Sequence, residues 1–179
     1  MRNTSFAGMH CSLAQSLEVM GDWWSPLVLR DLYLGLDRFD QLVTDLGISR
    51  NLLTDRIATL TNAGLVTRTP YQENPLRYTY SLTEAGRDLI PVLLALTAWG
   101  DRWATPQDGP PIRFTHITCG HRTTPTVTCS ECGDPLTTTN LTPSPGPGAQ
   151  TAPGTALLST VIPAPHGQDS AKGQPREPA

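Results

Sequence analysis

The sequence predicts a mainly α fold carrying one small β hairpin, followed by a small cysteine-bearing β module and a disordered tail. Three observations predict it. Apolar residues recur at helical spacing in five segments before residue 105. One pair of runs rich in β-branched and aromatic residues flanks "QENP". From Pro143 to Ala179 there is no Phe, Tyr or Trp, and 13 of 37 residues are Pro or Gly. That composition offers too little apolar area to offset the entropy of ordering the chain.

The elements follow in order. Leu13, Leu17 and Met20 mark a short helix, Ser12 to Met20, ended by Gly21. Ser25 is read as the N-cap of a second, with Pro26 at its first position, running through "LVLRDLYL" to Gly35. Asp37 opens a third, ended by Gly47. Ser49 caps a fourth, with Leu52, Leu53, Ile57 and Leu60 on one stripe and a stop at "NAG", Asn62 to Gly64. Two short helices about a tight glycine turn form a helix-turn-helix. "LVTRTPY" and "RYTYSLT" then make a hairpin with its tip near Glu73 to Pro75, and a hairpin in that position is a wing. Thr83 and Glu84 open a long helix with Leu89, Val92, Leu93, Leu96, Trp99 and Trp103 on one face and Pro91, which can kink it, inside. Two Trp on one stripe exceed what a small domain needs for its own core. The stripe is assigned to a dimer contact, with a purely intramolecular core as the alternative.

The length, 179 residues, suits one domain with extras or two small ones. No apolar run reaches the roughly 18 to 20 residues that span a bilayer, and the N-terminus lacks the apolar region of a signal peptide. The expectation is a cytoplasmic protein with no membrane partner. Net charge is −3, and 12 of the 13 basic residues are Arg. Such a balance decides nothing about nucleic acid, because only the local field at a groove matters. No nucleophile–base pair, phosphate loop or set of paired carboxylates is visible, so no enzymatic activity is expected.

These residues resemble the HxlR-type winged helix-turn-helix regulators of bacteria, within the MarR-like superfamily. The matching stretches are Cys11, "GDWW" (Gly21 to Trp24), "LVLRDLYLGLDRFDQL", "GISRNLLTDRIATLTNAGLVTR", "YQENPLRYTYSLTEAGRDL" and "PVLLALTAWGDRW", collinear over about residues 9 to 104. Trp23 departs from the pattern, since many members carry Lys there; Arg30 or Arg38 would have to replace any phosphate contact that Lys makes. The resemblance implies double-stranded DNA as partner. The second helix of a helix-turn-helix presents its N-terminal residues to base edges. Here these are Ser49, Arg50, Asn51 and Thr54, with Arg56 a turn further on, and Arg77 of the wing placed for a phosphate or the minor groove. Arg pairs with guanine and Asn with adenine. From Ile48 to Tyr80 four Arg face Asp55 and Glu73, a local excess of +2. The alternative is a solvated helix face, with Arg56 in a structural ion pair.

Cys11 stands where members of the family often carry a cysteine that in some senses electrophiles or oxidants. The alternative is a small buried residue in the dimer seam. "FTHITCGHRTTPTVTCSECGDPL" contains His116-x2-Cys119 and Cys129-x2-Cys132, each second Cys followed by Gly. Two such turns make a structural zinc site of three Cys and one His sensible, with His121 as rival to His116 and a metal-free hairpin as the alternative. The tail's one apolar run, "ALLSTVI" (Ala156 to Ile162), is either a docking peptide or ordinary tail.

The expected organisation is a winged helix-turn-helix over residues 5–105, a zinc-ribbon-like module over 111–140 and a tail over 143–179. The expected function is that of a sequence-specific regulator, a repressor more readily than an activator, dimeric through the N-terminal helix and the Glu84–Trp103 helix. The rivals are a protein-docking module and, more distantly, a thiol redox enzyme using Cys129 and Cys132.

Overall fold

The computed structural model describes residues 5–104 and 109–162. Two compact units divide the chain: Ser16–Leu136, and Met1–Gln15 together with Thr137–Ala179. The winged helix and the appended module therefore share a unit, and the N-terminal arm shares one with the tail.

Helix α1 (Ser12–Met20) stops at Gly21, whose φ of 81° is left-handed. Helix α2 (Trp24–Tyr33) begins two residues earlier than its sequence cap suggests. Asp22 caps it: its Oδ1 accepts the backbone N–H of Trp24 at 2.9 Å and of Ser25 at 3.3 Å. A carboxylate answers two orphan amides of the first turn better than one hydroxyl can. Ser25 is instead fully buried inside the helix. Helix α3 (Phe39–Leu46) starts one residue after Arg38, whose N–H donates to Gln41 Oε1, and ends at Gly47, also left-handed. Ser49 caps α4 (Arg50–Asn62) as expected, its Oγ accepting the Leu52 N–H.

Strands β1 (Val66–Glu73) and β2 (Leu76–Leu82) pair antiparallel around Asn74 and Pro75. A register shift between Pro70 and Gln72 leaves Tyr71 as the extra residue of a bulge. The wing is held at its base, where Tyr80 N–H donates to the Asp37 carbonyl at 2.8 Å. Helix α5 (Glu84–Trp103) runs through Pro91 without a break. Thr83 joins two elements: its hydroxyl donates to the Gly64 carbonyl closing α4 and accepts the Gly86 N–H opening α5. Gly86 lies so close to β1 that a Cβ there would stand 2.2 Å from the Leu65 carbonyl oxygen.

Leu29, Leu42, Leu53, Leu60 and Val66 form the fully buried centre, joined by Ile57, Leu82, Ile90 and Leu93. Helix α5 divides its apolar residues. Ile90 and Leu93 pack inward, while Val92, Leu96, Trp99 and Trp103 are 56–65% exposed. The single stripe predicted for α5 is thus two faces, and the one bearing both Trp is uncovered among the described residues.

The appended segment contains β3 (Phe114–Thr115) paired with β4 (Arg122–Thr123) and a bridge between Thr128 and Pro135. The tail departs from the disorder expected from Pro143 onward. Through Ile162 it forms turns and a one-turn helix α6 (Leu158–Val161) closed by bonds within the tail, and His10 of the N-terminal arm bonds the Gly148 and Pro153 carbonyls. Residues 163–179 of the expected tail lie outside the described residues. Among the described residues no helix is long and apolar enough to cross a membrane.

Candidate nucleic-acid interface

Helix α4 buries Leu53, Ile57 and Leu60 and leaves Arg50, Asn51, Thr54, Asp55 and Ala58 exposed. The first turn thus presents polar side chains while the apolar stripe anchors the helix. Arg50 is held over this surface by two contacts, an ion pair to Asp40 at 2.7 Å and the Phe39 ring at 5.0 Å. Arg50 and Asp40 are each 64% exposed, so the pair is weak and exchangeable. Asn51 is exposed. The Thr54 hydroxyl donates to the Arg50 carbonyl, which leaves its lone pairs and methyl available.

Arg56 departs from the expected reading surface. Its Nη1 lies 2.8 Å from Asp22 Oδ2, and both side chains are about four-fifths buried (20% and 21% exposed). Asp22 therefore caps α2 with one oxygen and clamps α4 with the other, fixing the angle between a core helix and the candidate reading helix. Arg56 is a positioning residue.

On the wing, Arg77 is exposed near the hairpin end, opposite Gln72. Arg68 stacks on Tyr78 at 4.6 Å and Arg38 on Tyr71 at 4.9 Å; Arg38 was expected only as a substitute phosphate contact, and Arg68 was left out of the site. The signal for Arg68 was an Arg in one wing strand with Tyr residues in the other. Of the two substitutes for the missing Lys at position 23, Arg30 is engaged: it bonds Asp31 at 2.6 Å and Asp45 at 3.1 Å. Arg38 forms no ion pair among the described residues. Asp31 is wholly buried, and burial raises its pKa against the lowering effect of Arg30. Trp23 stands 92% exposed.

The four expected metal ligands lie in two pairs. His116 Nδ1 is 3.3 Å from Cys119 Sγ, in a turn closed by Gly120 N–H to the His116 carbonyl. Cys129 and Cys132 occupy a matching turn closed by Gly133 N–H to the Cys129 carbonyl. Backbone N–H groups of Cys132 and Glu131, and then the Cys132 thiol, lower the Cys129 pKa. The two turns do not converge: among the described residues no three His, Cys, Asp or Glu side chains gather in a way that could hold a metal ion. Around them Ile117 is 95% and Val127 58% exposed. His121 gives its carbonyl to His116 N–H and is not drawn into either pair. Cys11 is half-buried just before α1, where its carbonyl accepts the Gln15 N–H.

Residues 19–108 match the model of the family described as HxlR-like helix-turn-helix. The chain is 44% identical over 137 residues to Rv3095 of Mycobacterium tuberculosis, named an uncharacterized HTH-type transcriptional regulator, covering 76% of this chain and 87% of that one. Two solved structures, each named a putative transcription factor, are similar. PA1607 has a TM-score of 0.67 at 32% identity, covering 77% of this chain and 96% of its own. PA1374 of Pseudomonas aeruginosa has a TM-score of 0.55 at 38% identity, covering 78% and 95%. With a polar first turn on α4, a wing after it and a family match across both, the chain belongs to the HxlR-like helix-turn-helix family.

Proposed function

We propose that this protein is a cytoplasmic, dimeric transcriptional repressor that reads double-stranded DNA with the first turn of α4. The observation carrying this reading is the division of that helix, whose leucines are buried and whose Arg50, Asn51 and Thr54 face solvent beside an exposed wing Arg77. In the major groove Arg50 would exchange Asp40 for a guanine edge, and Asn51 would meet adenine. Ser49 keeps its capping role and offers its hydroxyl to a phosphate. Arg77 and the stacked Arg68 and Arg38 supply sequence-independent phosphate contacts. Arg56 supports this surface from behind.

The exposed apolar faces support a dimer. Leu13 and Leu17 on α1 and Val92, Leu96, Trp99 and Trp103 on α5 are too many large apolar side chains to leave in water. Cys11 precedes α1 and is the thiol through which an electrophile would act. A structural zinc belongs to this reading as a tie between the His116/Cys119 and Cys129/Cys132 turns, which would have to close on one another to share it. Metal analysis of protein purified without added zinc tests that part, and less than about half an equivalent per chain removes it.

The deciding experiment is a mobility shift with DNA upstream of the protein's own gene and of its divergent neighbour, at two salt concentrations. Specific binding that weakens steeply with salt is expected. Arg50→Ala and Asn51→Ala should lose the preference for specific over random DNA by about 1–3 kcal/mol each. Salt-insensitive binding to neither DNA, with capture of a protein instead, would favour a docking module.

A further inference from the structure

The N-terminal arm and the tail are joined by contacts between residues about 140 positions apart. His10 N–H donates to the Pro153 carbonyl at 2.7 Å. The same residue's ring lies between two tail groups, with Nε2 2.6 Å from the Gly148 carbonyl and Nδ1 2.7 Å from Gln150 Nε2. One neutral tautomer answers both. A proton on Nε2 is donated to the carbonyl, and bare Nδ1 accepts from the Gln150 amide. The arm itself is held in a loop by Gln15, whose Nε2 donates to the Met9 carbonyl at 2.6 Å.

Gly154 is the second point of attachment. Its φ is +89°, and a Cβ there would lie 3.2 Å from Met9 Cβ and 3.3 Å from Cys11 Cβ. Only a residue without a side chain lets the tail backbone rest on those two side chains at that φ. A Pro/Gly-rich segment fixed at a ring on one side and a glycine contact on the other is docked at a specific place.

We propose that residues 148–158 are an intramolecular strap. Its docking surface is the arm Ala7–Gln15, and one consequence is that the strap restricts access to the Cys11 thiol. The proposal concerns accessibility and does not depend on Cys11 sensing anything or on DNA binding.

The test uses the full chain. Alkylation by iodoacetamide is followed residue by residue by mass spectrometry in the native protein and in Gly154→Val and Gln150→Ala, with Cys129 as internal reference. Cys11 should react about tenfold faster in Gly154→Val, because docking must open before the thiol is reached. Gln150→Ala should give a smaller increase, and Cys129 should not change. Equal Cys11 rates in all three proteins would overturn the proposal.

Discussion

Arg56 and Asp22 offer the sharpest separation of positioning from reading. The perturbation is a double-mutant cycle of Arg56→Ala and Asp22→Ala. An exposed ion pair contributes about 0.2–1 kcal/mol, whereas breaking a fully buried one costs about 3–5 kcal/mol. With both side chains about one-fifth exposed, this pair lies between those limits, and about 2 kcal/mol is expected for Arg56→Ala. Asp22→Ala also removes the acceptor of two α2 amides, a cap worth about 1 kcal/mol more. The two losses overlap, so the double variant should fall short of their sum by about 1–2 kcal/mol. Urea unfolding followed by tryptophan fluorescence and circular dichroism gives the energies. DNA binding measured well below the unfolding midpoint gives the role. Arg56→Ala should keep the native preference between operator and random DNA. If it unfolded at the native urea concentration yet lost that preference, Arg56 would be a base-reading residue and the inward assignment would be wrong.

Other outcomes follow from single sites. Arg77→Ala should weaken binding to all sequences and lower the salt slope by about one counterion, measured by fluorescence anisotropy across salt. Gly86→Ala should destabilise by about 2 kcal/mol or more in urea, because its Cβ would stand 2.2 Å from the Leu65 carbonyl oxygen and the helix-propensity gain of about 1 kcal/mol cannot offset that overlap. On the proposed dimer, Trp99→Glu should raise the dissociation constant about thirtyfold or more in sedimentation equilibrium without loss of fold, since truncating a central interface Trp costs about 2 kcal/mol or more. Burial raises the folded pKa of Asp31, so the folded state holds that proton more tightly than the unfolded state does. Stability should then fall as pH rises from about 4 through the raised value, and Asp31→Asn should flatten that limb in urea midpoints taken across pH.

The order of elements was legible because each carries a local signal. Glycines after α1, α3 and α4 adopt left-handed φ of 81°, 61° and 72°, and Ser49 and Thr83 cap as their positions suggest. The start of α2 was not legible. Ser25-Pro26 is a good capping pair by itself, but Asp22 offers a charged acceptor to two amides and prevails. The tail was read as disordered because composition measures what a segment can bury alone, and its docking on His10 is a long-range contact that no composition carries. The spacing of His116, Cys119, Cys129 and Cys132 gives the two turns, and the zinc they would share stays a proposal.

The α4 face shows how much of the site was available from spacing. Arg50, Thr54 and Ala58 are four residues apart, Asn51 is three before Thr54, and all four share the exposed side. Arg56 is three residues after Leu53 and four before Leu60, both fully buried, so the same periodicity puts it beside the apolar stripe. Its inward direction was therefore legible in the helix. Its partner was not, because Asp22 lies 34 positions earlier and meets Arg56 only after α2 and α4 have packed. An arginine flanking a core stripe needs a buried counter-charge, and the carboxylate best placed to give it is one already fixed by capping a neighbouring helix. That shared oxygen pair lets α4 expose its first turn while its middle is tied to the core, and Arg50→Ala and Arg56→Ala should on this account fail in different assays.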